Sequence, residues 1–294
     1  MSVLVLGGPT ATGKTAAATA VADAFEAIIV SADAMQVYRG MDIGTAKPSP
    51  AELARWPHHL VDIRDPHEAY NAADFAWDCD ALIAKHPRIV IAGGTGFYIR
   101  ALLTGLAPAP PSEPALRAEL ELLEDPHALL QEQDPVLALR LHPNDKVRIL
   151  RGLEVFRMTG RRLSDIHAEH DLSVPRHPAV RLMLDRADLA ERIDGRVVSM
   201  MEAGYMDEVQ GLLDAGVTPD LKPMKSLGYK WLSEQLLNGL EPAEALRLTQ
   251  RDTRRFARKQ RTMFRSIGGF EAIDGGDMDR VMRAAEEAFG AVSS

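Results

Sequence analysis

The sequence predicts an α/β fold, with a parallel sheet covered by helices on both faces and an all-helical insertion. Three observations carry this expectation. Short runs that are apolar at every position recur along the chain, helix-like stretches separate them, and one long stretch after a proline-rich break shows helical periodicity alone.

In chain order, "VLVLGG" (3–8) is the first strand and an Ala-rich helix follows over about 14–26. "AIIVSAD" (27–33), "HLVDI" (59–63), "RIVIAGG" (88–94) and "VRLMLDR" (180–186) give further buried strands. The pattern breaks at "APAPPSEP" (107–114), a proline-rich hinge. Beyond it, "EPALRAELELLE", "DPVLALRLH" and "NDKVRILRGLEVFRMTG" repeat apolar residues at helical spacing. The strand at 180 resumes the α/β pattern. The division is therefore a discontinuous core, 1–110 and 177–294, carrying a helical insertion at 111–176. Helices are expected over 189–215 and 241–266.

Composition narrows the class. With 294 residues, 46% hydrophobic and 26% charged, the chain has the length and balance of a soluble globular protein. A net charge of −8 argues against nucleic-acid binding unless basic residues concentrate locally. The single Cys79 forms no internal disulfide, and no apolar run reaches membrane-spanning length, so a cytoplasmic, membrane-free protein is expected. The nine histidines fall into no metal-ligand spacing; "PHH" (Pro57, His58, His59) is the nearest approach to one.

The most specific motif is Gly8-Pro9-Thr10-Ala11-Thr12-Gly13-Lys14-Thr15, a phosphate-binding loop between a strand and a helix. Glycines let backbone N–H groups curl round phosphate oxygens, and the helix N-terminus adds its positive dipole end. Lys14 reaches the outer phosphate and the Thr15 hydroxyl suits Mg²⁺. Nucleotide hydrolysis is less clearly indicated. "RIVIAGGTG" ends in glycines where an ATPase offers an Asp for the metal, and Asp62 is the one substitute in sight. The loop therefore suits a substrate's diphosphate as well as ATP.

"SADAMQVYRGMDIGTAKP" (31–48) follows the second strand, so its first residues face the same sheet edge as the loop. Asp33 there is equally a base toward an acceptor, an anchor for Mg²⁺ through water, or the cap of the next helix. Gln36 both donates and accepts, as reading a base edge requires. Arg39 and Lys47 are phosphate ligands or solvated loop charges.

Taken in order, "GPTATGKT", "SADAMQVYRGMDIGTAKP", "PHHLVDIRDP", "YNAADF", "GGTGFYIRALLTG", "RLHPNDKVRILRGLEVF" and "TRRFARKQRTMFR" resemble the tRNA dimethylallyltransferase family over nearly the whole chain. The resemblance implies a P-loop, kinase-like core with a helical insertion that contacts tRNA. It implies transfer of a dimethylallyl group from dimethylallyl diphosphate, with Mg²⁺ as cofactor, to the exocyclic amine of the adenosine immediately 3′ of the anticodon, in tRNAs reading codons that begin with U. By the same resemblance, Asp33 is the general base and Arg196 of "ERIDGRVVSMM" clamps the diphosphate opposite Lys14 and Thr15. The tRNA (anticodon stem-loop) contacts expected with it involve Asp33, Ala34, Met35, Gln36, Thr95, Val147, Arg148 and Arg151, and the local charge at 247–265 adds Arg254 and Arg258. A monomer is expected.

Local charge answers the acidic average. Residues 247–265 hold eight basic side chains against Asp252, and Arg247, Arg251, Arg254, Arg258, Arg261 and Arg265 share one helical face, opposite Phe256, Gln260, Met263 and Ile267. Residues 146–162 hold six against Glu154. Either cluster alone is commonly a solvated face; two of them suggest a phosphate-tracking groove. Three positions depart from the family pattern: Thr12 for a common Ser, Ala34 for Ser, and Val147 for Gln. The competing classes are a small-molecule P-loop kinase, an isopentenyltransferase for free adenine nucleotide, and a nucleotide-dependent RNA-binding switch. The first two leave the basic clusters unexplained, and the third leaves Asp33 without a role.

Overall fold

The computed structural model describes residues 3–170 and 175–290. In order these form β1 (Val3–Gly7), α1 (Lys14–Phe25), β2 (Ile28–Ser31), α2 (Pro50–Arg55), β3 (His58–His59), α3 (Ala72–Ile83), β4 (Ile89–Gly93) and α4 (Gly96–Thr104). Five helices follow: α5 (Pro114–Glu121), α6 (Pro126–Gln133), α7 (Pro135–Arg140), α8 (Lys146–Thr159) and α9 (Leu163–Glu169). Then come β5 (Val180–Asp185), α10 (Leu189–Glu202), α11 (Tyr205–Asp214), α12 (Tyr229–Asn238), α13 (Pro242–Ile267), β6 (Glu271–Asp274) and α14 (Met278–Phe289). The chain separates into two compact units, Met1–Leu103 with Arg176–Ser294, and Thr104–Pro175.

The first unit is built on a parallel six-stranded sheet in the order β3-β2-β4-β1-β5-β6. All five residues of β1 are buried, and strand alternation explains why they are all apolar or glycine. Val3 and Val5 point into the core that holds Ile91, Phe75 and Phe264. Leu4 and Leu6 point the other way, onto Ala17 and Val21 of α1 and Ala284 and Ala285 of α14. Central β1 thus has helices on both faces, and its C-terminal end delivers the phosphate loop to the sheet edge.

Two strand expectations change. The run at 59–63 is a strand only at His58–His59, because Leu60 and Asp62 adopt positive φ (63° and 55°), which ends an extended chain. Its backbone instead pairs with the segment after β2, Ile63 N–H donating to Val37 O at 2.9 Å. Conversely, β6 pairs with β5 at the sheet edge, Ile273 beside Leu184, although it shows no apolar run. The helix expected over 189–215 is two helices, broken at Gly204 with φ 98°.

The second unit packs its own core from Leu120, Leu130, Leu137, Ile149, Leu153 and Ile166. Proline occupies the first turn of α5, α6 and α7, where its missing N–H costs nothing. Asp125 and Asp134 cap α6 and α7 by accepting from Ala128 N and Leu137 N. Glu154 of α8 is fully buried and accepts from Ser112 Oγ, Glu113 N and Arg151 Nη1 at 2.5, 2.8 and 2.8 Å. Burial pushes its carboxyl up, and these three donors outweigh that and hold it below the ordinary value.

Candidate active site

The phosphate loop runs from the end of β1 into α1 with backbone angles that require glycine at Gly8. Gly8 has φ 135°, and a Cβ there would lie 2.2 Å from Leu184 O on the neighbouring strand. Thr12 is buried, its hydroxyl donating to Pro9 O at 2.9 Å, so the hydroxyl shared with serine is the part the loop uses. Lys14 Nζ folds back to donate to the same carbonyl. Thr15 opens α1 and is exposed on the cavity side.

Two cavities meet beside this loop. One, of about 780 Å³, is lined by 10–16 of the loop, Asp33, Lys47, Arg192 and Arg196. The other, of about 560 Å³, is largely apolar and is lined by Ala34, Met35, Thr95, Val197, Met200 and Met263, with Asp33 and Arg196 again. Thr10, Asp33, Thr45, Ala46, Gly94, Arg196 and Gln260 line both, so they mark the junction. A polar chamber for phosphates therefore opens into an apolar one across a carboxylate and a guanidinium.

The charges at the junction act on one another. Burial first, and the Arg196 charge second, lower Lys14 from its ordinary 10.5 to about 7, against the opposing pull of Asp33. Burial also lowers Arg196, again opposed by Asp33. Arg196 Nη1 donates to Thr10 Oγ1 at 3.3 Å, which sets it across the loop from Lys14. No helix follows Asp33 directly, so it caps none; it closes a turn instead, its Oδ1 accepting from Met35 N at 2.9 Å and more distantly from Gln36 N at 3.4 Å. One carboxylate oxygen holds the turn while the group lines both cavities, so turn closure and proton acceptance are compatible at this residue.

Other sequence-expected residues are placed as follows. Thr95 Oγ1 accepts from Ala34 N at 3.0 Å and Thr95 N donates to Ala32 O at 3.0 Å, so this threonine braces the Asp33 segment. Gln36 is engaged at both ends: Oε1 accepts from Ser31 Oγ at 2.8 Å, and Nε2 faces Thr45 O and Ala46 O at 3.2 and 3.3 Å. Lys47 is neither solvated nor free for phosphate. Its side chain is 2% exposed and sits between Asp42 and Asp62, 2.5 Å from each, which also removes Asp62 as a stand-in for an ATPase aspartate. Arg39 is a surface partner of Asp65 at 2.8 Å.

The basic run on α13 is more neutralised than its sequence shows. Arg247, Arg251, Arg255 and Arg261 pair with Glu244, Asp252, Asp252 and Asp185, and Arg254 pairs with Asp194. Arg258, Lys259 and Arg265 are exposed and carry no ion pair among the described residues. In the helical unit Val147 and Arg148 are largely exposed, Arg148 pairing with Asp145 at 3.2 Å, whereas Arg151 is committed to Glu154 and Pro110 O.

Several residues at the site were not singled out from sequence. Arg192 Nε donates to Ala11 O at 3.0 Å, one helical turn before Arg196, and that i, i+4 repeat of arginine was its available signal. Gln260 reaches in from α13, Oε1 accepting from Thr10 N at 3.0 Å and Nε2 donating to Gly94 O at 2.9 Å. Glu208 accepts from the backbone of Asp42, Ile43 and Gly44 and from Tyr229 Oη, which fixes the segment running on to Thr45 and Ala46 at the junction. Pairings this distant in sequence carry no local pattern. Among the described residues no group of three His, Cys, Asp or Glu is arranged to hold a metal, and no helix is long and apolar enough to cross a membrane.

Fold and site together define a P-loop α/β protein in which a polar cavity beside the phosphate loop opens into an apolar one. A family model described as IPP transferase matches residues 36–267. A tRNA dimethylallyltransferase of Geobacter sulfurreducens is 43% identical, covering 98% of this chain and 97% of its own. The full-length tRNA isopentenylpyrophosphate transferase of Bacillus halodurans superposes with a TM-score of 0.71 at 31% identity, over 98% of this chain and 96% of that one. A eukaryotic dimethylallyltransferase acting on tRNA gives a TM-score of 0.79 over 98% of this chain and 77% of its own; at 23% identity it speaks for the fold alone. This chain belongs to the IPP transferase family.

Proposed function

We propose that this protein transfers a dimethylallyl group from dimethylallyl diphosphate to the exocyclic amine of an adenosine in tRNA, releasing diphosphate. The acceptor is the adenosine 3′ of the anticodon in tRNAs that read codons beginning with U. The observation that carries the reading is the junction of the two cavities at Asp33 and Arg196. A donor with a charged diphosphate and an apolar five-carbon tail needs one polar and one apolar chamber in continuity. The names of the family's relatives support tRNA as the acceptor.

The chemistry follows from the placement. The allylic carbon–oxygen bond breaks as the adenine amine forms the new carbon–nitrogen bond, and the electron pair leaves on the diphosphate. Negative charge thus grows on the leaving group, where the loop amides, Lys14 and Arg196 stabilise it more in the transition state than before it. The adenine amine is a poor nucleophile because its lone pair is delocalised into the ring. Asp33 accepts its proton as the bond forms. The apolar walls from Ala34, Met35, Val197 and Met200 exclude water that would otherwise capture the allylic carbon.

Mg²⁺ fits the donor chemistry here. A small hard cation takes oxygen ligands and shares them with substrate phosphates. The exposed Thr15 lines the phosphate chamber and would hold such an ion together with the substrate's phosphates, leaving Asp33 as the base. When bound, it would neutralise part of the diphosphate charge.

The reading is tested by incubating the protein with Mg²⁺, dimethylallyl diphosphate and unmodified tRNA, then digesting the tRNA for mass analysis. One adenosine should gain a dimethylallyl group. ATP-dependent phosphorylation without that gain would replace this reading with a kinase.

A further inference from the structure

We propose that Phe97 and Phe256 form a stacking platform for the unpaired bases that flank the acceptor adenosine, so that the mouth of the apolar chamber grips RNA by its bases. The inference rests on the proposed tRNA reaction and deepens it. Phe97 lies in the first turn of α4 and Phe256 midway along α13, far apart in sequence, yet both line the chamber that contains Asp33. Neither ring is packed away: Phe97 is 45% exposed and Phe256 40%. Helical spacing placed Phe256 on the face away from the arginines, where burial against the sheet is the ordinary outcome. Its exposure at the chamber wall needs another reason. Exposure alone is not the argument, because Trp77 is more exposed and lines neither cavity.

Charge complementarity selects the occupant. The Arg100 guanidinium lies 5.0 Å from the Phe97 ring centroid. Just under one helical turn beyond Phe256 on α13, Lys259 is exposed without an ion pair among the described residues and lines the same chamber. Aromatic faces interleaved with cations suit single-stranded nucleic acid, whose bases stack while its phosphates meet the charges. An adenosine drawn out of its stack to reach Asp33 leaves its neighbours without a stacking partner, and the two rings supply that partner at the entrance. An apolar prenyl tail alone would make no use of the cations.

The test is binding and single-turnover transfer with full-length tRNA, using Phe97→Leu and Phe256→Leu. Both rings are exposed, so leucine is expected to leave the fold intact, and melting curves check this. Each tRNA is made intact and with an abasic site on either side of the acceptor. Losing one stacked base should weaken binding about 5- to 100-fold, with the salt dependence unchanged. The abasic tRNA should bind the wild type more weakly, yet bind the matching leucine variant no worse than intact tRNA does, since the same contact is already gone. Equal abasic losses in wild type and variants would overturn the platform. So would leucine variants that bind intact tRNA normally, or a defect confined to the KM for dimethylallyl diphosphate, which would assign the rings to the prenyl tail. Wild-type protein that prenylates no adenosine would instead defeat the proposed function itself.

Discussion

Gln260 and Thr10 are joined across 250 residues by a single hydrogen bond, the Thr10 amide donating to Gln260 Oε1 at 3.0 Å. The other end of the same carboxamide donates to Gly94 O, where a Cβ would lie 2.2 Å from its nitrogen. One buried side chain on α13 therefore holds both the phosphate loop and the turn that leads to Thr95. Gln260→Leu would leave the buried Gly94 carbonyl unpaired, at a cost of about 1–3 kcal/mol, and the partly buried Thr10 amide without its protein partner. We expect a lower melting temperature and, well below it, a KM for dimethylallyl diphosphate raised about 10-fold or more. Unchanged steady-state kinetics would show that the loop holds its shape without Gln260.

Lys14 gives the site a pH dependence. In the ligand-free protein its pKa is about 7, and bound diphosphate, being anionic, must raise it. Its contribution to affinity is thus complete below pH 7 and falls as pH rises, by at most about tenfold per pH unit, until the bound-state pKa is passed. The ratio of wild-type to Lys14→Met affinities for inorganic diphosphate cancels the ligand's own ionisation, so that ratio should shrink above pH 7. Stability runs the other way. The unfolded chain keeps this proton up to about 10.5, so the ligand-free protein gains stability between pH 7 and 10.5 from this group. A flat affinity ratio from pH 6 to 9 would place Lys14 away from the phosphate.

Asp33 both closes a turn and is the proposed base, and Asp33→Asn separates the roles. Asparagine keeps an oxygen for the Met35 amide and loses basicity. The single-turnover rate should fall about 10²–10⁴-fold while tRNA binding is retained. Equal loss of binding would make Asp33 a structural residue of the turn.

Arg258 and Arg254 should behave differently in salt titrations. Arg258 is exposed and unpaired among the described residues, so Arg258→Gln should weaken tRNA binding and reduce the salt slope by about one. Arg254 is tied to Asp194, and its replacement should instead lower thermal stability by stranding that partly buried carboxylate. An Arg258→Gln slope equal to wild type would return that face to ordinary solvation.

The parts of this molecule that were legible in sequence are those set by local pattern. Buried parallel strands announce themselves by runs such as "VLVLGG", and the loop from Gly8 to Thr15 is set by backbone geometry that few sequences satisfy. Edge elements were not legible. At β6 the pairing lies at the sheet edge and leaves polar residues exposed, and at 59–63 positive φ at Leu60 and Asp62 overrides an apolar run. Charge counts misled for the same reason. Asp185 and Asp194 lie far from α13 in sequence and take up Arg261 and Arg254, while Lys47 disappears between two aspartates. Gln260 and Glu208 act across long separations, where no spacing rule reaches, whereas Arg192 could have been found from its i, i+4 repeat with Arg196.

The most direct measurement of the central claim is the fate of one adenosine in tRNAs incubated with protein, Mg²⁺ and dimethylallyl diphosphate. Digestion and mass analysis should find one dimethylallyl group on the adenosine 3′ of the anticodon in tRNAs reading U-initial codons. Replacing that adenosine by inosine, which lacks the exocyclic amine, should abolish the gain. Transfer that persists with inosine, or that appears on free adenine nucleotide and never on tRNA, would contradict the account.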